Sequence, residues 1–386
     1  MQKAILSPDN PSSIHKERYL SLDVLRGITI ALMIVVNTPG SWQHIYAPFR
    51  HAEWHGFTVT DLVFPMFLFV IGNAMSFSMG KYTSQGDTAV LKKIFKRAGL
   101  IFLLGLLLNL FPFIYRSAEG ELLLKDFSAV RIMGVLQRIA LCYLIAGLII
   151  HYFKLKGSLI WGAAILIFYW AVMWFFGDAS SPYSLEGNAA LKFDLLIFAE
   201  KNLYKGFGIP FDPEGLLSTL PALVNIIGGF WAGVLIQKHK PLSYKISVFL
   251  AIGVIFILLG LVWDFAFPIN KPIWTSSYVV YTIGWSLLVL AALMIIIEKL
   301  NFKSWTYFFE VFGKNPLFIF ILSGALIKTL SVIRVDGMSL NSWIYQNLFL
   351  SWTDGKIASL LFAVFYTMIL WLIGLWLMKK KIFIKV

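Results

Sequence analysis

The chain has 386 residues, 59% of them hydrophobic and 14% charged, with a mean hydropathy of +0.76. Soluble domains are roughly 45–50% apolar and about 25% charged, so a water-soluble fold is excluded and lipid is the main solvent. Thirty-three Lys and Arg against twenty Asp and Glu leave a formal charge of +13, which the loop bias of membrane proteins explains without nucleic acid as a partner.

A bilayer core about 30 Å thick takes ~20 apolar residues of helix per crossing. Residues 1–18 are polar and read as a cytoplasmic tail, not as a cleavable signal peptide, since no small-residue cleavage site follows the first apolar run. The remainder, 19–386, reads as one transmembrane domain. Apolar runs predict spans at 22–39, 58–80, 94–115, 130–152, 158–177, 216–237, 246–267, 277–298, 305–328 and 357–378. The expected fold is therefore all-α and polytopic, with about ten transmembrane helices. Cys142, the only cysteine, lies in the fourth run and reads as an inert packed thiol. The connection at about 178–215 reads as an external cap packed by its own aromatics, Tyr183, Phe193, Phe198, Tyr204, Phe207 and Phe211. Gly228, Gly229 and Gly233 form a small-residue face that permits close helix packing, including in a homodimer.

Charge sets the expected orientation. With the N-terminus inside, most of the basic residues fall in inside segments, among them Lys3, Lys16, Arg18, Lys81, Lys92, Lys93, Lys96, Arg97 and Lys385. Both termini are then cytoplasmic, in a multi-pass protein of the cell (inner) membrane. Acids such as Glu53, Asp61, Glu119, Glu121, Asp212 and Glu214 fall at the outer face. Acids barely influence insertion, so a solvated surface or a site that gathers a cation explains them.

Four polar clusters interrupt the apolar runs, where an ionisable group is costly. Asp23 and Arg26 in Ser21-Leu22-Asp23-Val24-Leu25-Arg26-Gly27 are three apart, suited to an ion pair or to an anionic ligand. Asn37, His51, Glu53, His55 and Asp61 gather at the mouth of the first two spans. Glu53 stands in the wrong position for His-Glu-x-x-His and no cysteine pair follows, so proton transfer suits His51 better than metal binding. Gln137 and Arg138 in Gly134-Val135-Leu136-Gln137-Arg138 must face the bundle interior, as a structural ion pair or a phosphate site. Gly313-Lys314-Asn315-Pro316 breaks the ninth run, which puts unwound backbone against a cavity or a kink near the cytoplasmic face. Phosphate-loop, dinucleotide and Gly-x-Ser-x-Gly motifs are absent from the sequence.

In this order the clusters resemble the heparan-alpha-glucosaminide N-acetyltransferase family of transmembrane acyltransferases. The resemblance runs from about Arg18 to the last span. It rests on the Ser21–Gly27 segment, on His51-Ala52-Glu53-Trp54-His55-Gly56-Phe57-Thr58-Val59-Thr60-Asp61-Leu62-Val63-Phe64-Pro65, and on Gly134–Arg138. Two further segments carry it: Phe211-Asp212-Pro213-Glu214-Gly215-Leu216-Leu217 and Asn270-Lys271-Pro272-Ile273-Trp274-Thr275-Ser276-Ser277-Tyr278. The chain looks like a bacterial-type member without the large lumenal domain of the animal enzymes.

The resemblance implies transfer of an acetyl group from cytosolic acetyl-CoA to the amine of a glucosamine-type sugar on the far side. The family's catalytic histidine falls on His51, and the asparagine implicated beside it falls on Asn37. Asp61 or Glu53 is expected to hold the imidazole tautomer, and Asn37 to donate to the oxyanion. The CoA phosphates are expected within reach of Arg26, Arg97, Arg138 or Lys314, with Gln137 and Asn315 as further cofactor-binding residues and the pantetheine arm threading towards His51. Glu53, Trp54, Asp212, Glu214, Lys271 and Trp274 are the expected acceptor contacts, and no metal is expected. A transient acetyl-histidine is the alternative chemistry, and a secondary transporter of amino sugars or cell-wall fragments the alternative function.

Overall fold

The computed structural model describes residues 19–83, 86–117 and 120–384. The tail 1–18 with Lys3, Lys16 and Arg18, the side chain of Lys81, Glu119 and Lys385 lie outside the described residues. In chain order the helices are α1 (Leu20–Asn37), α2 (Val59–Thr83), α3 (Asp87–Leu110), α4 (Val135–Phe176) and α5 (Ala189–Ile197). After them come α6 (Thr219–Gln237), α7 (Leu242–Asp264), α8 (Ser276–Met294), α9 (Thr306–Lys314), α10 (Pro316–Val332), α11 (Leu340–Ile344) and α12 (Gly355–Lys379). The only strands among the described residues form two short antiparallel hairpins in loops, β1 (Ile114–Arg116) with β2 (Leu122–Leu124) and β3 (Arg334–Val335) with β4 (Met338–Ser339).

Seven helices are long and apolar enough to cross a membrane, and α9 with α10 adds an eighth if the bent pair is one span. The chain is an all-α polytopic membrane protein. The runs expected at 130–152 and 158–177 are the two halves of the 42-residue α4, broken where Lys154 adopts φ +56°. The run at 94–115 is largely α3, whose first half carries Lys92, Lys93, Lys96 and Arg97. The interruption at Gly313–Pro316 is a real break: α9 and α10 meet at 83°.

Glycine decides which helices touch. A Cβ at Gly72 would stand 1.8 Å from the Ile226 carbonyl oxygen, and one at Gly229 1.8 Å from that of Phe69, so α2 and α6 meet backbone to backbone. Gly233 packs against Ser76 and Gly228 against Ile283. The small-residue face read from the sequence as permitting close helix packing is used inside the bundle. Gly27 does the same for α1 and α9, its missing Cβ falling 1.9 Å from the Phe309 oxygen. A second, smaller core joins the connection after α4 to the helix ends: Tyr169, Met173, Tyr183, Phe211, Phe267 and Ile273 pack with Trp54 and Phe207.

Candidate active site

The start of α2 builds the first half of the site. In Thr58-Val59-Thr60-Asp61 the carboxylate reaches back over the first helical turn, as in a capping box. Asp61 Oδ2 accepts from Thr58 N (3.0 Å), Thr58 Oγ1 (3.0 Å) and Ala52 N (3.1 Å), and the residue is buried. Oδ1 is left for His51, whose Nδ1 lies 2.7 Å away. Lys271 Nζ stands 3.5 Å from the same Oδ1 and 3.0 Å from Nδ1. Nδ1 has both a carboxylate and an ammonium within reach. Asp61 only accepts, so the 2.7 Å contact takes Nδ1–H as its donor, with Lys271 paired to the carboxylate, and in that tautomer Nε2 carries the lone pair. The imidazole is 43% exposed, so that lone pair is reachable. Burial pushes the Lys271 ammonium below its ordinary range, against the pull of Asp61.

Asn270 holds the Lys271 turn in place. Its Nδ2 donates to the Trp54 carbonyl (2.9 Å), and its Oδ1 accepts from Ile273 N (2.9 Å). Trp274 follows with φ +51°, fully buried, donating Nε1–H to Asn225 Oδ1 at 3.2 Å. Tyr278, edge-on to Trp274 at 5.2 Å, donates its hydroxyl to the Asp61 carbonyl (2.6 Å).

Arg138 belongs to this end. Its guanidinium lies 4.8 Å over the Trp274 ring, and Nη2 donates to the Gly215 carbonyl and the Ser218 hydroxyl. Its buried Nε and Nη1 have no partner among the described residues. Gln137 lies beside Gly105 and Gly134, between α3 and α4. Arg26 and Lys314 line a cavity whose lining includes neither Gln137 nor Arg138. Both stand in the first turn of α4, at the His51 end.

Asp212 and Glu214, expected at the acceptor, share one cation. Arg131 makes a two-pronged contact with Asp212 (2.8 and 2.6 Å) and reaches Glu214 at 2.5 Å. Asp194 on α5 accepts from Leu216 N at 3.0 Å and is buried. Burial pushes its carboxyl up to about 7, against hydrogen bonds from Leu216 and Leu217. A raised carboxyl holds a proton in the folded state that the unfolded chain has already lost, so stability falls as pH rises from about 4 to about 7. Asp194→Asn is expected to flatten that slope in thermal unfolding between pH 5 and 7.5. A slope equal to the parent's would assign it to other groups.

The second half of the site is a cavity of about 380 Å³ among α2, α3, α4 and the α9–α10 break, within the ~300–1,000 Å³ of small-molecule sites. Its mouth is basic: Arg26, Lys93, Arg97 and Lys314 line it. Its depth is apolar, walled by Phe67, Ile71, Ile101 and Ile139. Arg97 stacks 4.9 Å over Tyr143, and its buried Nε has no partner among the described residues. Asp23 bridges the mouth, 3.4 Å from Arg26 and 3.9 Å from Lys314. Asn315 does not face the cavity: its amide donates to the Ile382 carbonyl (3.0 Å) and accepts from Ile384 N (2.8 Å).

Phe67, Ile71, Ala74 and Ser78 line the cavity along one face of α2, and Asp61, in the first turn of the same helix, lies about a third of a turn around from that face. The cavity lining stops at Phe67, six residues or about 9 Å of rise from Asp61. Phe64 lies between, edge-on to Trp274 at 5.2 Å. The cavity lining includes neither His51 nor Asp61, so the thread from cavity to imidazole that the sequence leads one to expect is not seen along this lining.

Of the other expected residues, Asn37 ends α1 exposed, and no hydrogen bond joins it to His51 among the described residues. Glu53 is exposed and Asp61, not Glu53, holds the imidazole. Trp54 donates Nε1–H to the Tyr183 carbonyl (2.8 Å) and packs on Phe211. His55 faces Asn270, 3.3 Å away, and burial lowers its pKa. Among the described residues no three His, Cys, Asp or Glu form a metal-holding group. Sequence reading missed Arg131 and Thr58. The Thr-x-x-Asp spacing ahead of an apolar run was a signal for the latter.

Residues 18–190 match the family model described as heparan-alpha-glucosaminide N-acetyltransferase, catalytic. That stretch holds Asn37, His51, Asp61, Arg97 and Arg138. The heparan-alpha-glucosaminide N-acetyltransferase of Homo sapiens is 26% identical over 359 residues, covering 79% of this chain and 52% of the relative. The protein of the same name from Mus musculus is 27% identical over 357 residues, covering 79% and 53%. The chain thus spans about half the length of the curated relatives it matches. The family that the motifs resemble is the one whose model and curated relatives the chain matches.

Proposed function

We propose that this protein is a transmembrane N-acetyltransferase that moves an acetyl group from cytosolic acetyl-CoA to the amine of a glucosamine-type sugar at the opposite face. One observation carries the reading: α2 carries both the carboxylate that buttresses the histidine, in its first turn, and a wall of the basic-mouthed cavity further along. The reading takes about ten crossings of the inner membrane, with both termini and the cavity mouth in the cytoplasm. Arg26, Lys93, Arg97 and Lys314 then meet the phosphates of CoA, charges that cannot enter hydrocarbon unpaired. Bound there, acetyl-CoA supplies its acyl group as a thioester.

The protein's own groups do the rest. Exposed carboxylates such as Glu53 gather the sugar ammonium, which loses one proton to water to become a nucleophile. As its nitrogen bonds to the carbonyl carbon, His51 Nε2 takes the second proton, and Asp61 stabilises the imidazolium through Nδ1–H. The carbon–sulfur bond breaks, and the thiolate leaves and takes up a proton as CoA. Asn37, at the end of α1, is the candidate donor to the oxyanion. To meet Nε2 the thioester must pass the stretch of α2 between Phe67, where the cavity lining ends, and Asp61.

Purified protein given acetyl-CoA and glucosamine is expected to release free thiol in step with N-acetylated sugar. Thiol at background would sink the transferase and favour the transporter, whose support is the α9–α10 break. Arg97→Gln and Lys314→Gln each remove a charge-assisted contact worth ~1.5–3 kcal/mol. Each is expected to raise KM for acetyl-CoA about tenfold or more with kcat little changed. An unaltered KM would take that residue out of the phosphate site.

A further inference from the structure

Helix α5 turns the wrong face outward for a helix in water. Its inner side is Ala190, Leu191 and Asp194, all buried, with Asn188 Oδ1 capping Leu191 N at 2.8 Å. Its outer side is Phe193, Leu195, Leu196 and Ile197, all exposed, with Leu196 85% exposed. The exposed arc also holds Lys192. That cation is spent locally, on Asp178 (2.6 Å) and on the Phe176 carbonyl at the end of α4 (3.2 Å). Those two contacts fix α5 beside the last turn of α4, where Trp174, Phe175 and Phe176 are also exposed. The second half of α4 belongs to a candidate membrane span little buried inside the protein, so its exposed aromatics face lipid. The apolar side of α5 continues that surface without a break in chemistry.

We infer that α5 is an in-plane membrane helix that beds the cap into the leaflet at the His51 end, its outer side covered by acyl chains. The contact is apolar and not electrostatic. The one cation on that face is already paired, so anionic headgroups have nothing to add. The cap is then not a lid standing in water. Asp194, on the inner side of the same helix, carries the Leu216 N–H, two residues from Glu214. Lipid on one side of α5 thus sets the level of the loop that closes one wall of the site.

Leu196→Cys tests this in the full chain in lipid nanodiscs. Cys142 is fully buried, so a fluorophore attaches selectively at position 196. Quenching by nitroxides on lipid acyl chains is expected to exceed iodide quenching several-fold, equally in zwitterionic and anionic bilayers. A label at exposed Lys205→Cys is expected to show the reverse ranking. Iodide-dominated quenching at 196 would overturn the inference. So would strong dependence on anionic lipid, or thiol cross-linking of position 196 into dimers with shielding from both quenchers, which would make a second copy the occupant.

Discussion

His51→Ala is expected to abolish acetyl transfer while leaving acetyl-CoA binding close to the parent's. General-base removal costs about 10²–10⁴ in rate. The cavity that would bind the cofactor is lined by other residues, the nearest of them on the same helix as Asp61 but six positions away. Asp61→Asn separates the roles within the pair. An amide at 61 still accepts from Thr58 and Ala52, so the start of α2 survives, but it no longer forces the Nδ1–H tautomer. In Ser-His-Asp enzymes the corresponding change costs ~10⁴ in kcat. Steady-state thiol release and equilibrium binding of acetyl-CoA, measured side by side, check both variants. Parent-like turnover in His51→Ala would remove the imidazole from the chemistry. Parent-like turnover in Asp61→Asn alone would leave the base but deny that its tautomer matters.

The second large effect is expected far from that pair, at Gly27→Ala. The added methyl would stand 1.9 Å from the Phe309 carbonyl oxygen and 2.9 Å from its Cα, and neither atom belongs to a side chain that can swing away. The backbones of α1 and α9 must separate, and overpacking against side chains alone already costs ~1–3 kcal/mol. The separation falls on the cavity mouth. Arg26, the preceding residue, donates to the Gly313 carbonyl at 3.4 Å, and Lys314 is next along α9. A marked loss of thermal stability with weaker acetyl-CoA binding is the expected result. Gly99→Ala is the control: nothing lies within 4 Å of that position, and an alanine in a helix interior is favoured by about 0.8–1 kcal/mol. Equal behaviour of the two variants would mean that the α1–α9 contact does not set the mouth.

The Leu-Arg-Gly motif shows why part of the site was legible from residues alone. Arg26 reads as a charge in search of an anion, and it does line the cavity; what Gly27 is for becomes visible only when the partner helix, 282 positions later, is in place. His51 and Asp61 could be brought together from the sequence because they are ten residues apart in one motif, although Glu53 stood as an equal candidate for the partner of the imidazole. Asp212 and Glu214 could not be joined to their partner, since the arginine that holds them lies 81 and 83 positions away. Arg138 was misplaced for an avoidable reason. It stands four residues into its helix, and the alternation of crossings already puts that end of α4 beside the start of α2. The helical runs themselves followed from apolar length, but the short, apolar-faced α5 lay hidden in what composition describes only as a long loop.

The tether at Asn315 has a practical consequence. Because Ile382 and Ile384 are stitched to the elbow between α9 and α10, and Ile384 forms part of the cavity wall, a polypeptide fused directly after Ile384 starts from the wall of the proposed acetyl-CoA cavity. A purification tag or fluorescent fusion at that position competes for the doorway it is meant to report on.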